Sequence, residues 1–253
     1  MERLHLIRPV PWIKVLALAF CLAAPVALAQ LPGGSGISAG MIKLFGTANA
    51  FTAKVDVQVF EKDKTEKVST PMDFALLEDK VRVQLDLSEM KSKDMPEGAG
   101  SSLKQMGMAN VISLIRPDKK ATYIMYPDQK CMLVVAMDPG EAEAIKKTST
   151  LDKVPLGKET ANGHPCVKNK VTITDDKGQK MDAITWNATD LKDFPVQIQT
   201  TEKDNTMLMK FKQIQLTRPD SKQFELPKDY TEYTSQQALM FGIMKKFTSG
   251  EEK

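Results

Sequence analysis

Histidine is nearly missing from this chain, with only His5 and His164 among 253 residues. A zinc site gathers several nitrogen, sulfur or carboxylate ligands, and a histidine-based triad needs its base held between two partners. Past the first thirty or so residues His164 is the one histidine, so no metal cluster that depends on several histidines is expected, and a triad would have to be built around it. Gly163 and Pro165 flank it, which places it at a turn entering a strand. Cysteine is scarce as well: Cys21, Cys131 and Cys166 are the three present, and no Cys-x-x-Cys spacing favours redox chemistry. Charge of one sign is not concentrated anywhere. Lysines and acids interleave, as in Glu61-Lys62-Asp63-Lys64-Thr65-Glu66-Lys67, whereas a nucleic-acid binder gathers basic residues on one face. Nucleic acid is therefore not an expected partner.

The remaining chemical motifs are incomplete. Asp175 and Asp176 lack the further oxygen ligands and distal Glu of an EF-hand loop. Ser35, between Gly34 and Gly36, has no strand-turn-helix context for a nucleophile elbow. Met106 with Met108 and Met207 with Met209 form spaced pairs of thioethers, which suit Cu(I). No Met-rich tract with His or Cys accompanies them, so they read as fillers of apolar space. The expectation is a protein with no catalytic residues, no metal and no cofactor.

What is present begins with an export pattern. Arg3, Arg8 and Lys14 precede an apolar run over residues 15–29, which ends Ala27-Leu28-Ala29 before Gln30. A basic start, an apolar middle and small residues at the cut describe a secretory signal peptide, expected to be cleaved after Ala29. The run is shorter than the roughly 20 residues a spanning helix needs. Phe20 stands directly before Cys21, where a lipobox wants a small residue, so Cys21 is expected to leave with the leader. The expected location is the periplasm, with no transmembrane segment after cleavage. Without Arg3, Arg8, Lys14 and Glu2, 32 basic residues face 31 acidic ones, for a net charge of +1. In an oxidising compartment Cys131 and Cys166 are expected to pair; a free buried thiol is the alternative. The bridge would close a loop of 35 positions and add about 3–4 kcal/mol in the chain-entropy model.

Beyond a Gly- and Ser-rich start, expected to be flexible over residues 30–46, side chains alternate with period two. Phe51, Ala53, Val55, Val57 and Val59 share one parity; Thr52, Lys54, Asp56 and Gln58 share the other. Successive side chains of a strand point to opposite faces, so one face is apolar and one wetted. The pattern repeats over 68–76 and 81–87, then over 111–115, 121–126, 131–137, 154–158, 167–174, 180–188, 196–200 and 206–216. Short polar turns such as Pro127-Asp128-Gln129-Lys130 suit antiparallel pairing. Residues 139–147 read as a helix with acids early and lysines late. Residues 234–253 read as an amphipathic helix and tail, with Ser235 as N-cap. The fold class is mainly β (α+β). It is a curved antiparallel sheet or open half-barrel of about ten strands over residues 47–233, with two or three covering helices.

Several marks cluster late in the chain: Asn162-Gly163-His164-Pro165-Cys166, the run from Trp186 to Phe194-Pro195-Val196, and Phe224-Glu225-Leu226-Pro227. With Tyr123-Ile124-Met125-Tyr126-Pro127, they resemble the LolA/LolB-like lipoprotein carriers of the bacterial envelope, in an uncharacterised branch. The resemblance implies a periplasmic carrier, expected to be a monomer, holding a lipid, a lipoprotein acyl chain or a similar apolar ligand without a covalent bond. The implied apolar lining is Val55, Val57, Met72, Phe74, Val83, Leu85, Ile124, Tyr126, Trp186, Val196, Ile198 and Met209. Family carriers hold an arginine inside the cavity. Arg82 here has the opposite parity to Val81, Val83 and Leu85, so it should face away from the apolar side. The alternative is an envelope sensor or interaction domain with a filled core, binding a protein through an edge strand or the terminal helix.

Overall fold

The computed structural model describes residues 39–146, 150–174, 178–202 and 204–249. The leader lies outside the described residues, as does most of the hairpin tip expected at 175–178. A short helix, α1 (Ala39–Lys43), precedes three strands: β1 (Ala50–Phe60), β2 (Glu66–Leu77) and β3 (Lys80–Asp86). A two-residue strand, β4 (Lys91–Ser92), and helix α2 (Ala99–Gln105) occupy the next loop. Then come β5 (Asn110–Arg116), β6 (Ala121–Tyr126), β7 (Cys131–Ala136) and helix α3 (Pro139–Lys146). The second half runs through β8 (Thr150–Ala161), β9 (His164–Thr174), β10 (Lys180–Ala188), β11 (Phe194–Glu202) and β12 (Asn205–Gln215). A strap with a 3-10 turn at Ser221–Phe224 leads to β13 (Thr231–Tyr233) and helix α4 (Gln236–Ser249).

All the strands belong to one curved, unclosed sheet in the order β13-β7-β6-β5-β3-β2-β1-β12-β11-β10-β9-β8, with β4 on β2. Every pairing is antiparallel except that of β13 with β7. The described residues thus hold 13 strands and four helices, where the sequence suggested about ten and two or three. The two proline turns of the first half share one construction. Pro117 and Pro127 each open a 3-10 turn, and Lys120 and Lys130 close it in the left-handed region, each N-H bonding back to its proline carbonyl. Proline presets the first angle of such a turn, which is why the sequence marks both places. Ser235 caps α4 as expected, accepting the Ala238 N-H at 3.2 Å.

Two apolar cores lie on the two faces of the sheet. The larger gathers Val55, Val57, Phe74, Val83, Ile198, Met209 and Phe211 with residues from all four helices: Met41 and Ile42, Leu103, Ala142 and Ile145, and Leu239, Met240 and Ile243. We call this the inner face. The smaller core joins Leu114, Tyr123, Met125 and Met132 to Phe224 of the strap on the outer face. β5, β6 and β7 are therefore covered on both sides, and β6 is buried at five of its six positions.

Two expectations fail here. Residues 39–46 are not a flexible lead-in, because Met41, Ile42, Leu44 and Phe45 are all buried. Cys131 and Cys166 are both buried and free. Cys131 opens β7 and Cys166 lies in β9, and eight strands (β6, β5, β3, β2, β1, β12, β11 and β10) intervene in the sheet. A disulfide needs Cα atoms within about 7 Å, and compartment reasoning carries no knowledge of strand order. Burial pushes the Cys131 thiol up to about 11. Thiol titration of the leaderless chain in denaturant is expected to count both cysteines, with neither reacting readily in the native state at pH 8. Reductant should leave the melting temperature unchanged; a titration finding no free thiol would reverse this.

Candidate functional site

The inner face is where the sequence placed a ligand. Strand register sets these residues in adjacent rungs of one face: Val83 stands opposite Phe74, Met72 opposite Val55, Val57 opposite Met209, and Met209 opposite Ile198. Eleven of the residues implied as lining (Val55, Val57, Met72, Phe74, Val83, Leu85, Tyr126, Trp186, Val196, Ile198 and Met209) are buried in the larger core, and Ile124 packs against it. They are core positions, closed from solvent by the helices.

Trp186 is buried in the same cluster, but its register differs from that of its neighbours in the lining. Thr185 is the residue opposite Ile198, while Trp186 pairs with Gln197 and Lys168. Alternation turns neighbouring side chains to opposite faces, so the indole lies among β8 and β9 side chains. Lys168 Nζ sits 4.7 Å from the ring centroid, and the indole N-H donates to Glu159. Thr185, with Asn169 and Asn187, makes a small buried polar cluster. Thr185 Oγ1 donates to Asn187 Oδ1 at 2.6 Å, Asn169 Nδ2 donates to the same oxygen at 3.1 Å, and Asn187 Nδ2 donates to the Asp193 carbonyl at 2.7 Å. These bonds compensate the cost of burying the three side chains.

The centre of the inner face is held by Phe45, a residue the sequence reading passed over. Its ring centroid lies 4.8 Å from Phe51, 5.6 Å from Phe74, 5.8 Å from Phe194 and 5.5 Å from Phe211. Phe51, Phe74, Phe194 and Phe211 all belong to strands; Phe45 alone comes from the turn after α1. Burying a ring of this size contributes about 1.5–3 kcal/mol. The apolar cluster Met41-Ile42-Lys43-Leu44-Phe45 was the available signal, since so greasy a stretch seldom stays in water. Lys43 ties the helices of the cover together, its Nζ donating to the Ile145 carbonyl of α3 at 2.7 Å.

The outer face reads differently. Arg82 does point away from the apolar row; its Nη2 donates to Gln84 Oε1 at 2.7 Å. It borders a groove of about 270 Å³ with Thr52, Asp73, Gln213 and Gln223. A neighbouring groove of about 390 Å³ is lined by Asp56, Asp73, Gln84, Asp86 and Asn110 among others. Several of their side chains are engaged with one another: Lys54 pairs with Asp73 at 2.6 Å, and Gln84 Nε2 donates to Asn110 Oδ1 at 3.1 Å. His164 Nδ1 lies 2.9 Å from Asp190 Oδ2, and Cys166 Sγ donates to the His164 carbonyl at 3.3 Å. Burial raises the Cys166 pKa, which keeps it a thiol, whereas a nucleophile works as the thiolate.

No family model matches this chain, and no curated protein matches it. Solved structures do. Among those similar to it is a LolA superfamily protein from Nitrosomonas europaea, 8% identical, with a TM-score of 0.38 over 75% of this chain and 98% of that one. The lipoprotein LppX of Mycobacterium tuberculosis is similar at 12% identity, with a TM-score of 0.38 over 70% of this chain and 93% of its own. LprF of Mycobacterium bovis is 13% identical, with a TM-score of 0.35 over 72% and 94%. At these identities nothing about a ligand passes from those proteins to this chain.

Proposed function

We propose that this protein is a periplasmic binding or carrier protein that holds a lipid, a lipoprotein acyl chain or a similar apolar ligand on the inner face of its sheet. The observation that carries this reading is the cover of that face. An apolar face extends from Leu85 on β3 to Val171 on β9, and what closes it is not a second sheet but four separate helices. Helices of five to 14 residues, each with its own loop, can part without breaking any strand pairing. An acyl chain needs only apolar surface, gaining about 0.8 kcal/mol for each CH2 it buries. On this reading the leader over residues 1–29 sends the chain to the periplasm, and binding involves no covalent step.

Native mass spectrometry of the leaderless protein, purified without detergent, tests it. The expected spectrum carries an adduct that extraction identifies as a lipid or fatty acid, and delipidated protein takes up a fluorescent fatty acid. A clean apo mass together with no uptake would end the carrier reading. A second reading, an interaction domain with a filled core, draws on Phe241 of α4, which is 72% exposed. The β8 edge is a weaker docking place. It is exposed at 11 of 12 positions, but Pro155, a register shift between Pro155 and Gly157, and charged Lys153 and Lys158 blunt it.

A further inference from the structure

We infer that Phe45 is a resident occupant of the ligand slot, and that the segment from α1 to Gly46 is the gate an acyl chain displaces. This deepens the carrier reading and rests on it. Three features of the segment support it. Phe45 fills a box whose four walls, Phe51, Phe74, Phe194 and Phe211, are fixed on paired strands. The ring enters from a chain segment that is not part of the sheet. Backbone bonds through the segment close locally: Leu44 N to Met41 O, Phe45 N to Ile42 O, Gly46 N to Lys43 O and Ala48 N to Phe45 O. The first three close within the segment, so lifting it as a unit breaks only the Ala48 N to Phe45 O bond across the pivot, and no strand ladder.

Gly46 follows directly with φ of +59°, and a Cβ built there meets nothing within 4 Å. A left-handed residue in open space, where glycine carries no steric penalty, suits a pivot. The polar tether of the gate is Lys43, whose ammonium caps the α3 carbonyl of Ile145 at 2.7 Å. Burial lowers the Lys43 pKa, so exposing the group to water as the gate lifts offsets part of the lost contact. Opening would move α1 away from α3 and leave a slot floored by the four strand-borne rings. That slot suits a straight alkyl chain or an aromatic ring, with no requirement for a polar headgroup.

A competing occupant weakens apparent affinity by the fraction of time it fills the site. Removing the Phe45 ring should therefore tighten ligand binding, the opposite of what loss of a lining residue does. The experiment titrates the delipidated leaderless protein with a fluorescent fatty acid, comparing wild type with Phe45→Ala and the milder Phe45→Leu, folding being checked by circular dichroism. We expect at least about tenfold tighter binding for Phe45→Ala and an intermediate gain for Phe45→Leu. If wild type binds and both variants bind equally well or more weakly, the gate is overturned while the carrier reading stands. If neither wild type nor a folded variant binds, the carrier reading falls and takes the gate with it. Should Phe45→Ala fail to fold, Phe45→Leu alone decides: unchanged or weaker binding overturns the gate.

Discussion

Truncating Phe224 to alanine will destabilise the protein by about 3–5 kcal/mol, the range for removing a phenyl ring from a packed core. For a chain of this size that lowers the melting temperature by about 6–20 °C. Phe224 is 2% exposed and lies on the outer face with Leu114, Tyr123, Met125 and Met132. Its position is fixed from the backbone as well, because Arg116 Nη1 donates to its carbonyl at 2.6 Å. Arg116 is itself held by Asp118 through bonds of 2.8 and 2.6 Å. The strap therefore cannot slide to refill the vacancy, and a vacancy that cannot collapse incurs the larger cost. Fatty-acid binding measured well below the melting point should not change, since the inner face has its own core. A loss below about 1 kcal/mol would mean that the strap is only draped over the sheet.

This division into two faces explains what the sequence showed and what it hid. Period-two alternation located β1, β3 and the first part of β2, where one face is buried and one wetted; β3 reads intermediate and buried in strict turn, whereas β2 ends in four buried residues. In β6 the alternation vanishes, since five of six residues are buried. Its second cover is Phe224, about a hundred residues downstream, a relation no local pattern contains. Trp186 does join the buried cluster, yet the ladder gives the place opposite Ile198 to Thr185. The register between β10 and β11 shifts next to Trp186, and parity counting within one strand cannot follow such an irregularity. Phe45 was missed for another reason. α1 has five residues, too few to display a helical period, and its Gly- and Ser-rich approach dominated the reading of the whole segment.

The terminal helix gives a test in which even the sign is informative. Glycine inside a helix is worse than alanine by roughly 0.8–1 kcal/mol, so Gly242→Ala in α4 would ordinarily stabilise. Here it should destabilise by about 1–3 kcal/mol, the usual range for overpacking. A Cβ on Gly242 would collide with Tyr233 Oη and stand 2.6 Å from Cζ and 3.0 Å from Cε1. The ring cannot bend, and its backbone is committed, since β13 pairs Tyr233 with Leu133 of β7. The helix is pinned on both sides of the clash, by the Ser235 cap and by Lys246 Nζ donating to the Gln129 carbonyl at 2.9 Å. Removing the ring with Tyr233→Ala should then relieve the clash, so that Gly242→Ala in that background regains its ordinary stabilising sign. Thermal melts of the two single variants and the double variant measure this. The energies of contacting residues do not add, and here the double variant should be more stable than the sum of the singles predicts. Strict additivity, or a stabilising Gly242→Ala in the wild-type background, would show that α4 rides loosely on β13, and the helix rather than α1 would become the easier door to the inner face.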